Sequence, residues 1–194
     1  MMNNSCKCGD VKKALIVVDM QNDFCPNGSL AVKEGDKIIS AINKYIKCFT
    51  EKNELVVFTR DWHPKNHCSF KEHGGIWPPH CVAETKGAEF HRDLYVPKNG
   101  FIISKADTSS KDAYSGFDST SLDSHLKGLG IKEVWVCGLA TDYCVKSTVD
   151  DALKLGYKVK LLSDAIAAVD VNKGDGEKAI AGMISAGAEI CRLD

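Results

Sequence analysis

A nucleophile needs a base beside it and a charge to steady it, and three residues of this chain could supply that set. The apolar run Ala14–Val18 ends in Asp19, and Phe101–Ser104 ends in Lys105. Val134–Cys137 leads through Gly138, Leu139, Ala140, Thr141 and Asp142 to Cys144. Cys144 opens a helical pattern carried by Val145, Val149 and Leu153. A helix N-terminus lowers a thiol's pKa and a neighbouring ammonium lowers it further, so Lys105 could make Cys144 a thiolate. Asp19 could then accept and return a proton. Each residue alone has a plainer reading: Cys144 as a small core side chain, Asp19 as a turn or cap carboxylate, Lys105 as a solvated strand end. Their joint occurrence at strand ends is what favours chemistry.

A fourth run, Leu55–Thr59, leads into Arg60, Asp61, Trp62 and His63, followed by a His/Pro/Gly-rich loop extending to about Gly87. Asp61, His63, His67 and His80 lie in that loop. A carboxylate with neutral imidazoles suits zinc, manganese or iron and leaves coordination positions open for water. The alternative for each histidine is a surface hydrogen-bonder, and His73 and His91 are assigned that role. Cys68 and Cys81 flank ligand positions and are minor candidates for thiolate ligation. Phe24, Trp77 and Tyr114 lie in three loops that the fold would bring together, either to sandwich a flat ring or to anchor a satellite core. Asp164 also follows a strand-like run, which shows how strand-end logic alone overcalls; a turn cap suits it better.

These positions converge if the runs form one parallel sheet. Helical spacing in Ile38, Ile39, Ile42, Ile46 and Phe49, and again in Leu122, Leu126 and Leu129, alternates with the strands. Val159–Leu162 is a fifth strand, Ile180, Met183 and Ile184 mark a last helix, and Glu189–Arg192 is an edge strand. The expected fold is α/β: a doubly wound three-layer domain with a mostly parallel, about six-stranded sheet flanked by helices. Open sheets of this kind hold their ligand crevice along the carboxyl edge of the strands. One domain is expected over 13–194, after a flexible tail over 1–12.

Composition narrows the function classes. The net charge is −1 with no Lys/Arg block, which argues against nucleic acid as a partner. No apolar stretch is long enough to span a bilayer and the N-terminus lacks a secretory core, so a cytoplasmic protein is expected. The cysteines number nine, most of them in apolar runs and none in a CxxC pair, so reduced thiols are expected. Cys6 and Cys8 form an isolated Cys-x-Cys, a weak metal signal.

The segments Val18–Phe24 (VDMQNDF), Thr59–Phe70 (TRDWHPKNHCSF), Ile76–Val82 (IWPPHCV), Tyr114–Phe117 (YSGF) and Gly138–Val145 (GLATDYCV) carry a resemblance. Together they resemble the nicotinamidase/pyrazinamidase branch of the isochorismatase-like cysteine hydrolases, from roughly Lys13 to Leu193 and in the expected order. The resemblance implies a catalytic triad of Asp19, Lys105 and Cys144, and metal ligands Asp61, His63 and His80. His67 matches a further histidine that coordinates in some members. Phe24, Trp77 and Tyr114 match substrate-pocket aromatics. A cis peptide is implied between Leu139 and Ala140, turning the Ala140 N–H to join that of Cys144 as an oxyanion hole. The implied reaction is hydrolysis of nicotinamide, and of pyrazinamide, to the acid and ammonia through a thioester, in NAD salvage. It would use one divalent ion, zinc first, with iron or manganese as alternatives. Homo-oligomers are usual in the family. The rivals are a hydrolase of another small amide or a vinyl ether, and a non-catalytic metal-binding protein on the same scaffold.

Overall fold

The computed structural model describes residues 11–192. Cys6, Cys8 and all but the last two residues of the expected tail lie outside that range. Six strands form one sheet: β1 (Lys13–Val18), β2 (Leu55–Asp61), β3 (Phe101–Lys105), β4 (Glu133–Leu139), β5 (Lys158–Ala167) and β6 (Glu189–Cys191). Their order is β3-β2-β1-β4-β5-β6, and every neighbouring pair is parallel. The connections are α1 (Ile39–Glu51) before β2, α2 (Leu122–Gly128) before β4, α3 (Lys146–Lys154) before β5 and α4 (Asp175–Ser185) before β6.

The layers follow from which side chains each strand turns to which face. All six residues of β1 are buried, as a strand covered on both sides requires. Leu15 and Val17 join the core under α1 with Ile42, Tyr45, Ile46 and Phe49. Ala14, Ile16 and Val18 join the opposite core with Leu126 of α2, Val149 of α3 and Met183 of α4. That is the expected three-layer arrangement. Strand order reverses between β1 and β4, the two central strands, so the ligand-binding switch point lies beyond Val18 and Leu139. Among the described residues, no helix is long and apolar enough to cross a membrane.

Three expectations change. β5 runs to Ala167, well past Leu162, so Asp164 caps no turn: it lies within the strand and accepts a hydrogen bond from Tyr45 Oη at 2.7 Å. The irregular segment after β2 continues to Gly100, broken only by short 3-10 turns at Lys71–His73 and Lys86–Ala88. Cys191 is disulfide-bonded rather than reduced, whereas Cys25, Cys48, Cys68, Cys81, Cys137 and Cys144 are free.

Candidate active site

Strand register brings the first two groups together. Asp61 ends β2 and stands opposite Lys105, which ends β3. The Lys105 ammonium donates to Asp61 Oδ1 and lies 2.9 Å from Asp19 Oδ2. It also donates to Ala113 O at 3.3 Å and reaches Cys144 Sγ at 3.5 Å. Asp19 leaves β1 with φ 49°, and its other oxygen accepts a 2.7 Å hydrogen bond from Thr59 Oγ1. The acidic and sulfur atoms of Asp19, Asp61 and Cys144 lie within 4.8 Å of one another, around the ammonium.

Cys144 reaches this point through β4. Gly138 pairs with Val18 and has φ 114°; a Cβ there would sit 2.1 Å from Val18 O, so only glycine lets the two strands stay in register. The Leu139–Ala140 peptide is cis, as the resemblance implies. The chain then makes one π-helical turn over Thr141–Val145 before α3 begins. Cys144 therefore sits in that turn and does not open a regular helix. Asp142, beside it, accepts from the Val169 and Asp170 N–H groups at 2.9 Å each and ties the turn to the loop after β5.

Burial and the charges around Lys105 compete in setting the protonation of this cluster. Burial pushes the Cys144 thiol well above its ordinary range, against the pull of Lys105, so the resting sulfur keeps its proton. The expectation of a depressed thiol pKa is thus corrected: sequence spacing gave the neighbours and could not give the depth. Burial also raises Asp19, although Lys105 opposes it. At Asp61 the same burial is outweighed by Lys105 and His63, which hold the carboxyl below the usual range. Burial would lower Lys105, but Asp19 and Asp61 together keep it charged.

Beyond Asp61 the histidines close a second cluster. Atoms of Asp61, His63 and His80 able to bind a metal lie within 4.8 Å of one another, all in buried residues. His63 Nδ1 meets Ala106 O at 3.1 Å, and His80 Nδ1 meets Pro78 O at 2.8 Å. Those carbonyls fix the Nδ1–H tautomer and leave each Nε2 lone pair for a metal. His63 Nε2 is buried, has no hydrogen-bond partner among the described residues, and lies 3.5 Å from Asp61 Oδ2. An orphaned imidazole nitrogen facing a carboxylate fits a divalent cation held by three protein ligands. His67 stands apart. Its ring packs on His63, but Nδ1 is engaged by Ser69 Oγ at 2.7 Å and Nε2 by Lys111 O at 3.1 Å. Cys68 and Cys81 fall outside the cluster, as do His73 and His91.

Both clusters open on one pocket. Cys144, Ala140, Asp61 and His80 all line it, with Phe24, Trp77 and Tyr114 among its other walls. Trp77 Nε1 donates to Tyr114 Oη at 2.9 Å, joining two loops at the rim. Sequence reading missed Tyr143, which also lines the pocket and packs edge-on against Trp77 with centroids 5.4 Å apart. Its signal was present: it directly precedes the nucleophile candidate. Leu30, Val32 and Val169 extend the apolar wall beside Leu139 and carried no such signal.

Comparison with known proteins gives a consistent result. The family model described as the isochorismatase domain matches residues 13–194. The nicotinamidase of Escherichia coli (strain K12) is 39% identical over 202 residues, spanning 93% of this chain and 95% of that protein. The crystal structure of the pyrazinamidase of Pyrococcus horikoshii in complex with zinc superposes with TM-score 0.90 at 52% identity, covering 94% of this chain and 99% of that one. PnC1 from L. infantum, solved in complex with nicotinate, gives TM-score 0.84 at 39% identity over 96% of both chains.

Proposed function

The chain belongs to the isochorismatase family, and from that premise we propose that it is a nicotinamidase. In this reading a metal-dependent cysteine amidohydrolase converts nicotinamide, and pyrazinamide, to the acid and ammonia for pyridine-nucleotide salvage in the cytoplasm. One observation carries it: Cys144 and the pair Asp61 and His80 line a single aromatic pocket. A ring whose nitrogen meets a metal in that pocket can present its carboxamide to Cys144.

Asp61, His63 and His80 would hold the ion, zinc by preference with iron or manganese as alternatives, and when bound it supplies a Lewis acid for the ring nitrogen of the substrate. Phe24, Trp77 and Tyr114 confine the ring and direct its carboxamide at Cys144. Asp19 takes the Cys144 proton as sulfur attacks the carbonyl carbon, and Lys105 steadies the sulfur's charge. The Ala140 and Cys144 N–H groups face the oxyanion. Asp19 hands the proton to the departing nitrogen; ammonia leaves and the acyl group remains on Sγ as a thioester. A water deprotonated by Asp19 then cleaves the thioester, the proton returns to sulfur, and the acid departs. Raised by burial, Asp19 suits this two-way transfer better than an ordinary carboxylate would.

The test is ammonia release from nicotinamide with metal content measured on the same sample. Turnover with a bound divalent ion is expected, and benzamide, which lacks the ring nitrogen, should react poorly. Metal-loaded protein that releases ammonia from no amide would be a binding protein instead. Equal rates on nicotinamide and benzamide would remove the ring-nitrogen contact.

A further inference from the structure

The turn after β1 carries three polar residues in a row, and each one hydrogen-bonds the backbone of the long segment between β2 and β3. Asn22 Nδ2 donates to Lys86 O at 2.7 Å, and Asp23 Oδ2 accepts from the Cys81 N–H, next to His80, at 2.7 Å. Gln21 makes the most demanding set. The β1 backbone leaves the sheet at Asp19, after the Asp19 N–H donates to Thr59 O at 3.2 Å. β2 continues to Asp61, two residues beyond its last backbone partner on that side. There the Gln21 side chain takes the place of a strand. Its Oε1 accepts from the Asp61 N–H at 2.8 Å and its Nε2 donates to Asp61 O at 2.8 Å. The second Nε2 hydrogen goes to Ala88 O at 2.9 Å, so both donors are used in a fully buried side chain.

The two Asp61 bonds hold the peptide planes on either side of its Cα, and so fix the direction of its side chain. That direction matters because the carboxylate is divided: Oδ1 meets Lys105, while Oδ2 faces His63 Nε2 at 3.5 Å. A swing of the backbone toward one partner withdraws it from the other. We propose that Gln21 is a positioning residue for Asp61, a side-chain surrogate for a missing strand that aims one carboxylate at both the ammonium and the metal-ligand cluster. The proposal rests on the reading of Asp61, His63 and His80 as metal ligands. A buried amide spent on three backbone groups of the ligand-bearing segment has no part in binding the substrate itself.

The test compares zinc retention by the wild-type holoenzyme and by Gln21→Met, a near-isosteric change without hydrogen bonds, against a graded chelator series. Outer-shell partners of metal ligands are typically worth about 10–100-fold in affinity, and a weakening of that order is expected. Circular dichroism in excess zinc checks the fold, and kcat and KM at saturating zinc should show kcat falling with KM little changed. A folded Gln21→Met protein that holds zinc as tightly as the wild type, with only a lower melting temperature, overturns positioning and leaves a structural role. If Gln21→Met does not fold, Gln21→Asn, one carbon too short to reach, carries the same comparison. Fast hydrogen exchange at the Asp61 N–H of the unaltered holoenzyme overturns the proposal without any variant. A wild-type chain that holds no divalent ion overturns the ligand assignment, and this inference with it.

Discussion

The two halves of the site are built by different means. The half proposed to carry the nucleophile, Asp19 with Gly138 to Cys144, grows directly from the central strands β1 and β4, whose backbones pair up to Val18 and Gly138. The half proposed to hold the metal, Asp61 with His63 and His80, begins at the end of β2 and continues on irregular backbone, held by side chains from the Gln21–Asp23 turn and by the isolated bridges Gln21↔Phe90, His63↔Val82 and Phe70↔Trp77. Lys105 stands between them and takes a carboxylate from each half. Sharing one ammonium, the two carboxylates still diverge: burial raises Asp19, while Lys105 and His63 lower Asp61. Two carboxyls pushed apart in this way suit two tasks, one carrying a proton and one remaining an anion.

Removing the sulfur should break one half and spare the other. Cys144→Ala is expected to lower kcat by as much as about 10⁶-fold, the scale of deleting a nucleophile that acts with its base. Metal content should stay at the wild-type level, because none of the three ligand candidates touches sulfur through a hydrogen bond. Metal analysis beside a single-turnover assay reads both. Loss of the ion along with turnover would mean that the halves are not separable.

Lys105→Met should damage both halves at once. It leaves two buried carboxylates without their shared cation, and breaking a buried pair from one side costs about 3–5 kcal/mol. Urea unfolding of the metal-free protein measures this. A loss under about 1 kcal/mol, the scale of a surface pair, would show that Lys105 does not bridge the halves.

Legibility in the sequence follows the same division. Strand-end reasoning found Asp19, Lys105 and Cys144, because a parallel sheet aligns its carboxyl ends whatever the connections do. Continuous apolar runs, which a two-sided sheet demands, also marked the first five strands, while the short edge strand β6 was read from its length. Spacing named the ligand loop but did not separate His67 from His63 and His80. That difference lies in Ser69 Oγ and Lys111 O, which occupy both nitrogens of His67. Gln21 was invisible for a related reason: its partners are backbone groups of Asp61 and Ala88, and backbone groups leave no mark on composition or periodicity. The protonation of Cys144 depends on depth beneath the surface, which no local pattern records.

The pH dependence sharpens the contrast between the carboxylates. In the proposed mechanism Asp19 must be ionised to accept the thiol proton, and burial, outweighing Lys105, raises its pKa above the ordinary 3.8. The acid limb of kcat/KM should therefore fall about tenfold per pH unit below a midpoint above 3.8. For stability the signs oppose. Asp19 binds its proton more tightly folded than unfolded, so its contribution is present at low pH and is lost as pH rises through the raised value. Asp61, lowered, contributes above 3.8 and loses that contribution as pH falls below it. Urea midpoints of Asp19→Asn and Asp61→Asn across pH should tilt in opposite directions; parallel tilts would erase the distinction.

The smallest effect belongs to the rim, where the halves meet over the pocket. Trp77 lies in the ligand loop, between His67 and His80, and Tyr114 follows β3; the 2.9 Å bond from Trp77 Nε1 to Tyr114 Oη couples their side chains. A net hydrogen bond is worth about 1 kcal/mol, so Trp77→Phe should raise KM roughly fivefold with kcat nearly unchanged. Tyr114→Phe deletes the same bond from its other end and should do the same. Because the two changes remove one interaction, the double variant should be little worse than either single one, whereas losses that simply add would mean that the loops close the pocket independently.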